Sequence, residues 1–366
     1  MGEYTGGAMK SHIFSTGTVA TLAFSATVVG ATVVGATVIT YGATGGEGHA
    51  GSAAPQQRSN VIQAATHPRI DSVAFVSGAI TLRGVMHLPA GAPPYPAVFF
   101  LHGGGAQYLN NEPTDFARML VAQGIAALVY DKRGTGNSGG DFSSSTFADF
   151  VADGQAAYRY LASRPDIRAD RVGVLGFSQG GRLAPIVAST LPLAAAISVS
   201  GPAVPAAEQR LFAMRNAMLQ QGQPQETVDR ALTLWRAQFD AITNGTPLAA
   251  LDETIAASRV PRGLLPPLSS QFVTNPILNS FRFNGDSLTR TLRVPFLSLL
   301  GSADAIVPVE PTVSTLRTLL GPDRPGSFEI VVLDGATHAL DFPPGTRHPE
   351  YVPRVMNWMT RFLKAP

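Results

Sequence analysis

The chain has 366 residues, 45% of them hydrophobic and 14% charged, with a formal net charge of +2. That composition supplies a sizeable core and excludes an intrinsically disordered chain, while a near-neutral balance without a long basic run argues against nucleic acid as a partner. With no cysteine, disulfides, thiolate metal sites and a cysteine nucleophile are excluded, and the seven histidines form no HxH or HxxxH pair that would suggest zinc.

Residues 1–50 read as a targeting segment. Lys10 precedes a stretch from Ser11 to Gly46 with no Asp, Glu, Lys or Arg, in which "ATVVGATVVGATVIT" repeats every five residues from Ala26 to Thr40. A positive residue, an apolar run and then small residues outline an export signal. It is either cleaved or kept as a tether through residues 13–41, which would be the only contact with a membrane. The other reading is an extension ahead of a second start at Met9. Residues 51–70 follow as a linker.

From Asp71 the pattern becomes that of a folded domain. "DSVAFVSGAITLRGVMHLPAG" alternates apolar and polar residues on either side of Ser77-Gly78, which predicts an antiparallel strand pair. "YPAVFFLHGGG" contains a continuous apolar run, as a strand buried on both faces requires. "TDFARMLVAQG" has helical spacing and stops at Gly124. "IAALVYDKRGTGNSGG" is a second buried strand running into a glycine-rich loop. Then come a helix ("FADFVADGQAAYRYLASRP"), a strand ("DRVGVLGFS"), a helix ("QGGRLAPIVAST") and a strand ("LAAAISVSG"). Strands alternating with helices predict an α/β fold with a mostly parallel sheet flanked by helices.

The alternation stops at Gly201. Ala207, Leu211, Met214 and Met218 define one amphipathic helix, and Val228, Leu232, Trp235, Phe239 and Ile242 a second. A proline-containing stretch continues to Thr291. "VPFLSLLGSADAIVP" and "SFEIVVLDGATHAL" resume the strands, and "YVPRVMNWMTRFLKAP" closes with a helix. The expected organisation is a core from residues 71–201 and 291–366, interrupted by a mainly helical cap at 202–290. Phe212, Met214, Met218, Trp235 and Phe239 are candidates to line a pocket under that cap or to pack it.

Two copies of G-x-S-x-G occur, around Ser138 and Ser178, so the pattern alone carries little weight. Ser138 leads into the polar loop "DFSSS". Ser178 lies between a strand and an apolar-periodic helix, where flanking glycines allow the sharp turn that presents a nucleophilic hydroxyl. Serine needs a general base, itself oriented by an acid. Asp304 follows one late strand and His338 the next; Asp334, four residues before His338, is the poorer orienter. "FLHGGGAQ" ends an early strand in bare backbone suited to an oxyanion, so Gln179 and one of Gly103 and Gly104 are candidate N–H donors. His102 reads as a loop organiser, and Asp131 and Arg133 as residues that fix the loop after their strand.

Taken together, "FLHGGG", "YDKRGTGNSGG", "GFSQGGRLAPIVA", "LRVPFLSLLGSADAIVP" and "DGATHAL" resemble the bacterial α/β-hydrolase superfamily. The resemblance covers residues 71–363 and is nearest to esterases grouped with serine aminopeptidases and dienelactone-hydrolase-like enzymes. It implies an α/β-hydrolase fold, a triad of Ser178, Asp304 and His338, a small-molecule ester substrate and no cofactor or metal. The sequence departs from relatives that carry Glu where Gln179 stands, and from three-glycine esterases that carry an acid where Phe177 stands. A peptidase or acyltransferase with the same triad remains open, as does a non-catalytic binding protein on the same fold.

Overall fold

A computed structural model describes residues 66–108, 112–324, 326–343 and 345–364. The expected export segment, and most of the expected linker, lie outside the described residues. Among the described residues no helix is long and apolar enough to cross a membrane.

Strands β1 (Arg69–Ser77) and β2 (Ile80–Leu88) form the expected hairpin, with Ser77 paired to Ile80 across a turn at Gly78, whose φ is 60°. β3 (Tyr95–Leu101), α1 (Glu112–Ala122), β4 (Ala126–Tyr130), α2 (Phe147–Ala162), β5 (Ile167–Phe177), α3 (Gln179–Ala188) and β6 (Ala195–Val199) follow in alternation. α2 begins with a capping box: Thr146 accepts from the Asp149 N–H and the Asp149 side chain returns to the Thr146 N–H. Such a cap contributes about 1 kcal/mol.

After β6 the chain leaves the sheet. α4 (Ala206–Gln220) and α5 (Gln225–Asn244) pack on each other, and α5 ends at Gly245 in the left-handed conformation. Short helices α6 (Asp252–Ala257), α7 (Pro276–Asn279) and α8 (Asp286–Thr289) lead back to β7 (Phe296–Gly301). Leu211, Met214, Met218, Val228, Ala231 and Phe239 form a small core inside this helical segment, against which Trp235 packs. Met214, Met218, Trp235 and Phe239 therefore pack the helices on each other; Phe212 is outside that cluster and half-buried.

Val309–Leu320, where the sequence pattern singles out no element, is helix α9. Pro308 and Pro311 fall at its N-cap and in its first turn, where no N–H donor is lost from the ladder. β8 (Phe328–Leu333), a two-residue ladder of β9 (Asp341–Phe342) with β10 (Thr346–Arg347), and α10 (Tyr351–Leu363) complete the chain.

The main sheet has eight strands in the order β1-β2-β4-β3-β5-β6-β7-β8. β1, β2 and β4 pair antiparallel, and every pair from β4–β3 to β7–β8 is parallel. Side-chain alternation sorts β3 into two cores. Ala97, Phe99 and Leu101 join Phe150, Leu183 and Leu316 from α2, α3 and α9. Val98 and Phe100 join Phe116, Tyr351 and Trp358 from α1 and α10. Burial on both faces explains why the parallel strands read as unbroken apolar runs.

Candidate active site

The turn from β5 to α3 holds Ser178 at φ 50° and ψ −110°, a conformation that costs a non-glycine residue about 1–3 kcal/mol. It persists because its neighbours leave no alternative. The Ser178 N–H donates to the Val199 carbonyl at 2.8 Å, and its own carbonyl accepts from Arg182 N–H at 3.0 Å. Both motif glycines are required by close approach. A β-carbon at position 176 would lie 2.1 Å from the Gly180 carbonyl oxygen, and one at position 180 would lie 2.0 Å from that of Leu101. The strand-turn-helix context inferred for Ser178 is thus what the chain adopts.

His338, on the loop after β8, lies between Ser178 and Asp304. The Ser178 hydroxyl and His338 Nε2 are 2.9 Å apart, and His338 Nδ1 is 2.8 Å from Asp304 Oδ2. With Nδ1 protonated, imidazole donates to the carboxylate and Nε2 accepts from the serine. The Asp304 side chain is fully buried, and its second oxygen accepts the N–H groups of Ile306 at 2.7 Å and Val307 at 2.9 Å. Asp334 is exposed and accepts from the Ser302 hydroxyl.

Gln179 is the first residue of α3, so its N–H has no acceptor within the helix. A β-carbon on Gly103 would stand 3.7 Å from that of Ser178, which sets the glycine loop beside the serine; Gly104 has open space on its side-chain face. The three candidate donors, Gln179, Gly103 and Gly104, therefore belong to two segments that meet at Ser178.

The residues read as structural behave so. Ser138 Oγ donates to the Asp131 carbonyl at 2.7 Å and accepts the Arg83 N–H at 2.9 Å, so it is held by backbone groups. Asp131 accepts the Asn137 N–H. Arg133 makes a two-pronged ion pair with Asp153 of α2, at 3.0 and 2.7 Å. His102 donates from Nε2 to the Tyr130 carbonyl; burial, opposed by that bond, lowers its pKa to about 4, so it is neutral.

Two residues near the site have no sequence signal. Ser200, also at a positive φ of 50°, donates its hydroxyl to the His338 carbonyl at 2.7 Å and so fixes the loop carrying the imidazole. Lys132 is 4% exposed, and its ammonium donates to the Gly103 carbonyl at 2.7 Å, the Gly105 carbonyl at 3.2 Å and Gln179 Oε1 at 2.6 Å. Its nitrogen also lies 4.5 Å from the Phe150 ring centre. Among the described residues no cluster of three or more His, Asp or Glu side chains could hold a metal ion.

Comparison with known proteins bears on the fold. Residues 92–247 match the hydrolase family described as serine aminopeptidase, S33. The chain is 25% identical over 134 residues to the uncharacterized peptidase YtmA of Bacillus subtilis, a match covering 37% of this chain and 51% of that protein. To esterase EstD of Thermotoga maritima it is 29% identical over 148 residues, covering 38% of this chain and 35% of that one. The matches thus span about half or less of these curated relatives. Among solved structures, the α/β hydrolase GrgF from Penicillium sp. sh18 superposes with a TM-score of 0.55 at 20% identity, over 81% of this chain and all of that one. The chain has the α/β-hydrolase fold.

Proposed function

We propose that this protein is a serine hydrolase that cleaves carboxylic esters through an acyl-enzyme. The observation carrying this reading is the unbroken hydrogen-bonded chain from the Ser178 hydroxyl through His338 to buried Asp304. Ser178 attacks the ester carbonyl as His338 Nε2 takes its proton, and Asp304 keeps the ring in the required tautomer and stabilises the imidazolium. The N–H groups of Gln179 and of Gly104 or Gly103 donate to the developing oxyanion. Each such donor is worth about 10²–10³ in rate. His338 then protonates the leaving alcohol, which departs as the acyl-serine forms. A water, deprotonated by the same imidazole, attacks the acyl carbon, and Ser178 leaves with the returned proton. Residues 11–46, uncharged and apolar, support an exported location for this activity.

The peptidase reading draws support from the S33 match and from the relation to YtmA. One experiment separates the two: nitrophenyl esters of graded acyl length and aminoacyl anilides, each assayed with wild type and Ser178→Ala. Ester turnover is expected to exceed anilide turnover and to fall by about 10⁴-fold or more in the variant. Ester turnover that survives Ser178→Ala would falsify the mechanism, and anilide turnover above ester turnover transfers the assignment to a peptidase. Ser138→Ala is the control and keeps its activity.

A further inference from the structure

Resting on the serine-hydrolase reading, we infer that Lys132 is a positioning residue whose ammonium clamps the two halves of the oxyanion hole into one fixed unit. The geometry follows from the planar trans peptide, in which the C=O and the following N–H point in opposite directions. Gly103 O belongs to the same peptide plane as Gly104 N–H. With Lys132 Nζ holding Gly103 O at 2.7 Å, the Gly104 N–H is turned away from the lysine. The bond to Gly105 O fixes the next-but-one plane and stops the three-glycine loop from rotating. The third bond, to Gln179 Oε1 at 2.6 Å, ties in the residue whose backbone N–H is the other donor. One side chain on the β4 loop thus sets the distance between donors that come from β3 and α3. A loop of three glycines cannot hold such a geometry by its own backbone preference.

Three acceptors match the three N–H donors of an ammonium, whereas a neutral amine offers two N–H groups and a lone pair that would face a carbonyl. The clamp is complete only when Lys132 is charged. Burial lowers its pKa to about 7, and the charge of Asp153 pulls the other way. The remaining groups around it are the neutral His102 at the end of β3, the Tyr130 phenol on β4, which burial keeps protonated, and Arg133, already paired with Asp153. Phe142 and Phe150 present ring faces to the cation. Deprotonation on raising the pH breaks one of the three ties, so kcat is expected to carry an alkaline limb that belongs to Lys132.

The test replaces Lys132 by Met, which keeps an apolar stem against the two rings, and separately Gln179 by Leu, which cuts only the side-chain tie. Both are assayed with the nitrophenyl esters above, in parallel with Ser178→Ala. If turnover does not depend on Ser178, the underlying reading fails; the lysine is judged on turnover that does. Lys132→Met is expected to lose on the order of a hundredfold in kcat with KM within about threefold, as for a group acting only in the transition state. It should lose the alkaline limb, and it should bind a trifluoromethyl ketone, which forms an oxyanion on Ser178, more weakly by the same factor. Gln179→Leu, which leaves the buried amine and its loop bonds in place, is expected to lose about tenfold in kcat and in ketone affinity alike. A kcat unchanged in both variants, or a loss of activity accounted for entirely by unfolded protein with ketone affinity and pH profile intact, overturns the proposal.

Discussion

Asp304 divides its carboxylate between two backbone N–H groups and one imidazole N–H. An amide at this position cannot serve both. If its oxygen stays on Ile306 and Val307, its NH₂ faces His338 Nδ1 and forces the proton onto Nε2, where it can no longer accept from Ser178. Asp304→Asn is therefore expected to lose about 10⁴-fold in kcat/KM at neutral pH, with the fold kept, as judged by ester hydrolysis beside thermal melting. That Ser178, His338 and Asp304 come together was legible in the sequence because each stands at the end of a separately recognisable apolar strand. The same reasoning told Ser178 from Ser138. Lys132 and Ser200 were not legible. Lys132 lies between Asp131 and Arg133 in a turn-rich stretch, and nothing local marks it as buried. Its partners at positions 103, 105 and 179 and that of Ser200 at 338 are brought in only by the sheet.

Helix α4 presents two different faces. Leu211, Met214 and Met218 turn into the small core shared with α5. On another face Gln209 Nε2 donates to the Ile306 carbonyl and Asn216 Nδ2 to the Ala305 carbonyl, both at 2.9 Å. Phe212 falls between them in the helical period. The helical segment is thus tethered to the loop carrying Asp304 by two polar contacts. Each neutral bond contributes about 0.5–1.5 kcal/mol. Gln209→Ala combined with Asn216→Ala is expected to raise amide hydrogen exchange throughout α4 and α5 while leaving β3, β5 and β6 protected, because local opening no longer has those contacts to break. Unchanged exchange in α4 would show that the apolar core alone seats the segment. The 3.6-residue period made α4 and α5 readable in advance. It did not reach residues 246–285, where order comes from long-range tethers such as Trp235 Nε1 to the Leu264 carbonyl and Gln238 Nε2 to the Pro267 carbonyl.

At the scale of the molecule, strand-helix alternation announced a parallel sheet with two covered faces, but not its order. That β3 lies between β4 and β5 depends on pairing between segments far apart, and no local pattern encodes it. The crossing also carries charge toward the site. The loop after β4 delivers Arg133 outward to Asp153, whose side chain is 2% exposed, and Lys132 inward to the glycine loop. Asp153 therefore does two things at once: it pairs Arg133 and supplies the negative charge that opposes the loss of the Lys132 proton. Asp153→Asn keeps the shape and a hydrogen-bond acceptor but removes the charge. Stability is expected to fall by about 1–3 kcal/mol, since a partly buried guanidinium loses a charged partner. The sign of the kinetic effect is fixed separately. Without the carboxylate the ammonium gives up its proton more readily, so the alkaline limb of kcat moves to lower pH. A purely structural loss lowers the fraction of active protein at every pH and leaves the limb where it was. Titrating kcat of wild type and Asp153→Asn well below either melting temperature distinguishes the two, and a stationary limb would break the electrostatic link between this ion pair and the glycine loop.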